Sequence, residues 1–98
     1  MAVTITLSRT DAVELSFALN YAHTSDQSAD PSLAAGQPAY VAWIAMIEGL
    51  KREEDPITVE LSDDAHRATV AAWAELAMRP GWGIDAATYA RVRAVLVP

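Results

Sequence analysis

The sequence predicts an α+β fold: a small two-stranded sheet packed with about four helices, in the order β-α-α-β-α-α. Three observations carry this. Val3 to Leu7 and Ile57 to Leu61 each alternate apolar and polar residues, the two-residue period of a strand with one face buried. Each run ends at a serine, Ser8 or Ser62, suited to cap a helix, and apolar residues then recur at helical spacing. Between them lies Pro38 to Leu50, which carries no charge before Glu48 and is apolar nearly all round.

In the first strand Val3, Ile5 and Leu7 share one face, and Thr4 and Thr6 the other. Ser8 offers its side-chain oxygen to the N–H groups of the next turn, and Asp11 sits where a capping box places its acid. The helix that follows has the stripe Leu15, Ala18, Leu19 and Ala22, widened by Val13, Phe17 and Tyr21, with Glu14, Ser16 and Asn20 left for solvent. From His23 to Gln37 the chain is polar and irregular. Loops of that length in a compact domain are usually binding or lid segments or simply mobile, and Asp30, Pro31 and Gly36 stand in the order of a short capped turn over 31–35.

The stretch 38–52 is expected to be the buried central helix. Its apolar stripes run through Tyr40, Trp43, Ile44 and Ile47 and through Trp43, Met46, Ile47 and Leu50. A helix apolar on every side must be surrounded, by its own domain, by another copy of the chain or by another protein. Gly49, the charged run from Lys51 to Asp55 and Pro56 are expected to end it.

The second strand, Ile57 to Leu61, and its serine match the first position for position, 54 residues later. That match raises a tandem pair of strand-helix-helix units, although the helices themselves match poorly. The helix from Asp63 to Met78 opens on two acids at the positive end of its dipole and is rich in alanine, with Val70, Trp73 and Leu76 for bulk. Trp73 is expected near the central helix. Arg79-Pro80-Gly81-Trp82-Gly83 is a breaker loop. The last helix starts at Asp85, stapled by Ile84 and Tyr89; its stripe is Tyr89, Val92 and Leu96, and Arg91 and Arg93 face out. Five-residue strands cannot stand as an isolated pair, so the two pair under helices or join a sheet shared between two copies. Parallel and antiparallel pairing are both open.

Composition narrows the function. A chain of 98 residues can close one core, so 1–98 is read as a single compact acidic domain. Its longest apolar run, Ala39 to Ile47, is about half the roughly 20 residues of a membrane span, and the start lacks a secretory pattern, so a cytoplasmic location without membrane contact is expected. Net charge is -6, with Arg outnumbering Lys six to one. An acidic chain with one lysine is a poor ligand for phosphate backbones, which excludes direct nucleic-acid binding, and the Arg and Ala bias is that of a GC-rich genome such as a high-GC bacterium or its phage. Cysteine is absent, which removes disulfides and thiolate chemistry together.

Catalytic templates fail for want of residues. His23, Asp26 and Asp30 could in principle hold a metal, but no paired-histidine or His-Glu spacing supports such a site, and His66 reads as an exposed helix residue. No cofactor motif is present, and no stretch matches a family motif. Two features suit contact with a protein. One is the acidic cluster Glu53, Glu54, Asp55, Glu60, Asp63 and Asp64, read first as a solvated face and second as a lure for a basic partner. The other is the pair Arg79 and Trp82, together with Tyr40 and Trp43 of the central helix, because Trp and Arg dominate interface hot spots. The expectation is a non-enzymatic protein-protein interaction module, of the kind found among phage accessory or host-modulating proteins. It acts by binding a protein partner, a homodimer being one form of it. The alternatives are a structural subunit that self-associates through its central helix or sheet, and a small ligand- or metal-binding domain using loop 23–37.

Overall fold

In a computed structural model, which describes residues 2–25, 38–77, 81 and 83–98, the chain folds as an α+β domain. Its elements are β1 (Ala2–Leu7), α1 (Arg9–Ser25), α2 (Pro38–Lys51), β2 (Ile57–Ser62), α3 (Asp63–Ala77) and α4 (Ala86–Leu96). The strands pair antiparallel, with Val3 opposite Leu61, Ile5 opposite Val59 and Leu7 opposite Ile57. The helices cover one sheet face. Ile5, Leu7, Ile57, Val59 and Leu61 are buried beneath them, while Thr4, Thr6, Thr58 and Glu60 form the outer face, where the Thr6 and Thr58 hydroxyls lie 3.1 Å apart. Among the described residues no helix is long and apolar enough to cross a membrane.

The two halves follow one plan. Advancing every position by 54 carries Ile5 onto its own partner Val59 and exchanges the pairs Val3–Leu61 and Leu7–Ile57, so the sheet has an approximate two-fold axis at its centre. The caps obey the same operation. Ser8 Oγ accepts from the Asp11 N–H at 3.2 Å, and Ser62 Oγ accepts from the Ala65 N–H at 3.2 Å. So does the buried face, since Leu15, Ala18 and Leu19 of α1 correspond to Thr69, Ala72 and Trp73 of α3. Even the packing exchanges: α2 lies on α1, β2 and α3, and α4 lies on α3, β1 and α1. Each second helix therefore rests partly on the opposite half.

Several expectations need correction. The helix at 38–51 is central by its neighbours, but only one face of it is buried. The face turned inward carries Ala39, Ala42, Met46 and Gly49, whereas Val41 and Ile44 are exposed and Tyr40, Trp43, Ile47 and Leu50 are half-buried. Small residues let the helix approach the sheet closely. Gly49 is not a stop but part of that approach, for a Cβ on it would meet Ile57 Cγ2 at 2.7 Å. The helix ends instead through Glu53, which takes a left-handed φ of 58° while its N–H donates to Leu50 O at 3.2 Å.

On α1 the polar Ser16 is buried, its hydroxyl satisfied by Val13 O at 2.7 Å, while Phe17 stands 53% exposed. Trp73 is buried, and it serves the last helix: its indole N–H donates to Tyr89 O at 3.2 Å and its ring stacks on Tyr89 with centroids 6.1 Å apart. As expected, Asp85 caps α4, accepting from the Thr88 N–H at 2.7 Å, and Val92 and Leu96 enter the core.

Candidate functional site

Two polar features that look available for chemistry are structural. Asp11, only 3% exposed, is gripped by Arg91 of α4 through Nε to Oδ2 at 2.6 Å and Nη2 to Oδ1 at 2.8 Å, so its carboxylate serves a long-range pair beside the Ser8 cap and Arg91 does not simply face out. The Arg91 hydrogen bond holds the Asp11 carboxyl below the usual aspartate range, against the opposing effect of burial. His66 is half-buried rather than exposed, and its Nε2–H donates to Leu96 O at 2.7 Å, tying α3 to the end of α4.

The acidic cluster separates into two groups in space. Asp55 accepts from the Arg9 N–H at 3.1 Å and so serves the start of α1, and Glu54 pairs with Arg52 at 3.2 Å. Asp63 and Asp64 stand at the other end of β2, where Asp64 pairs with Arg67. Five strand steps of about 3.3 Å hold the groups roughly 16 Å apart, about two Debye lengths at physiological salt. Glu60 lies between them on the outer sheet face, and Glu53 is exposed beyond α2. These acids form no single strong field.

Two clefts remain. One, of about 360 Å³, is lined by Ala2, Glu60, Leu61, Ser62 and Asp63; the other, of about 240 Å³, by Thr10, Glu14, Gly83, Ile84, Asp85 and Thr88. Both offer carboxylates and hydroxyls without a basic residue, and Ser62 and Asp85 are committed to helix caps. The Thr88 N–H bond holds the Asp85 carboxyl below its ordinary range. Among the described residues no three His, Asp or Glu side chains are grouped to hold a metal ion. The loop 23–37 starts later than expected, because α1 continues through Ser25; the rest of it, the short turn over 31–35, the metal reading of His23, Asp26 and Asp30, and the contact reading of Arg79 and Trp82 fall outside the described side chains.

Among the described residues four large apolar side chains are exposed: Phe17 on α1, Val97 past the end of α4, and two together on the outer face of α2. Val41 is 48% exposed and Ile44 37%, and Tyr40 and Ile47 flank them half-buried. Trp43, packed against the core cluster, has its ring 6.0 Å from that of Tyr40 at a 47° tilt. Single exposed apolar side chains are ordinary, but here they occupy successive turns of one helix. Of the residues expected to bind a partner, Tyr40 and Trp43 border this surface, while the acids lie elsewhere or serve the fold. Val41 and Ile44 belonged to the expected buried helix. Their position could have been read from the small residues Ala39, Ala42 and Gly49, whose spacing marks the face that approaches the sheet.

Comparison of the chain with family models, with curated proteins and with solved structures finds no match.

Proposed function

We propose that this chain is a non-enzymatic module that binds another protein, and that the outer face of α2 is its contact surface. The observation that carries the reading is a contrast between corresponding helices. Burial aligns Ala42 with Val92 and Met46 with Leu96, which sets Tyr40, Val41, Trp43 and Ile44 of α2 beside Ala90, Arg91, Arg93 and Ala94 of α4. At these positions α4 carries small residues, Ala90 and Ala94, the exposed Arg93, and Arg91, which reaches back to Asp11. The scaffold thus accepts a polar exterior on its second helix. Val41 and Ile44, exposed on α2, are therefore not demanded by folding in the way that the core-packed Trp43 is, and exposed bulky apolar side chains grouped on one face suit a binding surface.

The test compares three forms of the full chain as bait: wild type, Ile44→Glu, and Arg93→Glu on the corresponding face of α4. All three should give the same far-UV circular dichroism. A protein retained by wild type and by Arg93→Glu, but lost with Ile44→Glu, supports the assignment. Retention by all three removes α2 as the contact.

A further inference from the structure

We infer that the occupant of the α2 face is an amphipathic helix of a different protein, with a basic side chain about one turn beyond its apolar anchors to meet Glu48. This rests on the reading of α2 as the docking surface. The outermost column of α2 runs Val41, Ile44, Glu48 and Lys51, at the spacing of one helical stripe, and all four are exposed. Its first half is apolar and its second half charged. Neither Glu48 nor Lys51 has an ion-pair partner among the described residues.

That polarity argues against a second copy. An antiparallel two-fold pair centred between Val41 and Ile44 makes only a short apolar contact between two chains of net charge -6, and one centred farther along α2 lays the apolar half of one helix on the charged half of the other. Glu48 would leave water against Val41 or Ile44 with no opposite charge to meet, and burying an unpaired charge is strongly unfavourable. A parallel pair would set Glu48 on Glu48 and Lys51 on Lys51. A steep crossing at Ile44 alone avoids both faults but falls short of the roughly 800 Å² per partner that a stable interface needs. A foreign helix meets none of these obstacles. Its apolar residues at i and i+3 or i+4 cover Val41 and Ile44, and its charges answer Glu48 and Lys51 in turn. The net charge of -6 draws a basic segment toward the whole molecule.

The probe is a phage-displayed library of helical peptides selected on the immobilised full chain. Wild type should enrich peptides with two or three apolar residues at helical spacing followed within about one turn by Lys or Arg. On Glu48→Lys the flank preference should turn acidic, and the best wild-type peptide should bind about threefold more weakly. On Ile44→Glu its binding should fall tenfold or more. Val41→Glu repeats that test at a second position. Enriched peptides that need Ile44 but show the same flank charge on wild type and Glu48→Lys overturn this inference and leave the docking surface standing. Peptides indifferent to Ile44→Glu overturn both. Sedimentation equilibrium supplies the other arm: a monomer supports the foreign-helix assignment, and a dimer abolished by Ile44→Glu replaces it with a second copy.

Discussion

The pair Asp11–Arg91 joins residues 80 positions apart and invites the most informative perturbation of the fold. Its two ends are unequally exposed, 4% for the Asp11 side chain and 55% for Arg91. Truncation should therefore be asymmetric. Asp11→Asn leaves a half-solvated guanidinium that water can satisfy and keeps one acceptor oxygen, so the cost at pH 7 should be modest, about 1–2 kcal/mol. For 98 residues that is a Tm lower by roughly 5–15 °C. Arg91→Met instead strands a buried carboxylate and should cost more than Asp11→Asn, while Asp11→Leu with Arg91→Met should recover much of the loss, because no charge then remains in the interior.

The acid limb gives an independent reading. Because the folded-state pKa of Asp11 is depressed, its contribution is fully present above the unfolded value near 3.9 and is lost as pH falls through the folded value. Urea midpoints followed by circular dichroism at pH 7, 5 and 3 should show wild type losing more stability below about pH 4 than Asp11→Asn. In Arg91→Met, burial without a counter-charge raises the Asp11 pKa, so its deficit should shrink on acidification. Equal costs for the two single substitutions, with identical pH profiles, would refute the asymmetric-burial argument.

Other outcomes follow from the same structure. Gly49→Ala gains about 1 kcal/mol of helix propensity, but its Cβ meets the buried, branched Ile57 at 2.7 Å; overpacking of about 1–3 kcal/mol should outweigh the gain and lower the urea midpoint. Glu53→Gly should raise stability by about 0.5–1 kcal/mol, and with it that midpoint, since the residue already holds a left-handed φ of 58°; a lower midpoint would deny that the backbone there is strained. Val41→Thr should change stability by no more than about 0.5 kcal/mol, and a larger loss by calorimetry would mean that the outer face of α2 is needed for folding.

Legibility followed the range of the interactions involved. The strands, their faces, both serine caps and the α4 cap depend on neighbours within four residues, and alternation or cap chemistry reveals them. The Asp11–Arg91 pair and the His66–Leu96 bond join distant elements, and no local pattern announces them. Phe17 and Ser16 changed places because an apolar stripe widened to seven residues exceeds the face a three-turn contact can bury, and a serine can pay its way inward by bonding the carbonyl three residues back. The orientation of α2 was hidden for a related reason. A helix apolar on all sides offers no hydrophobic contrast, so side-chain size decides which face goes in, and close approach to the sheet selects alanine and glycine.

The exchange of second helices between halves also orders events in time. Because β2 is the sheet partner of β1 and α4 rests on β1, β1 gains its neighbour only when Ser62 has been made and its last cover only when Leu96 has. At about 5–20 residues per second the interval between Leu7 and Leu96 is roughly 5–20 s. Until β2 is made Ile5 and Leu7 lack a sheet partner, and the part of β1 that α4 covers stays open until that helix forms.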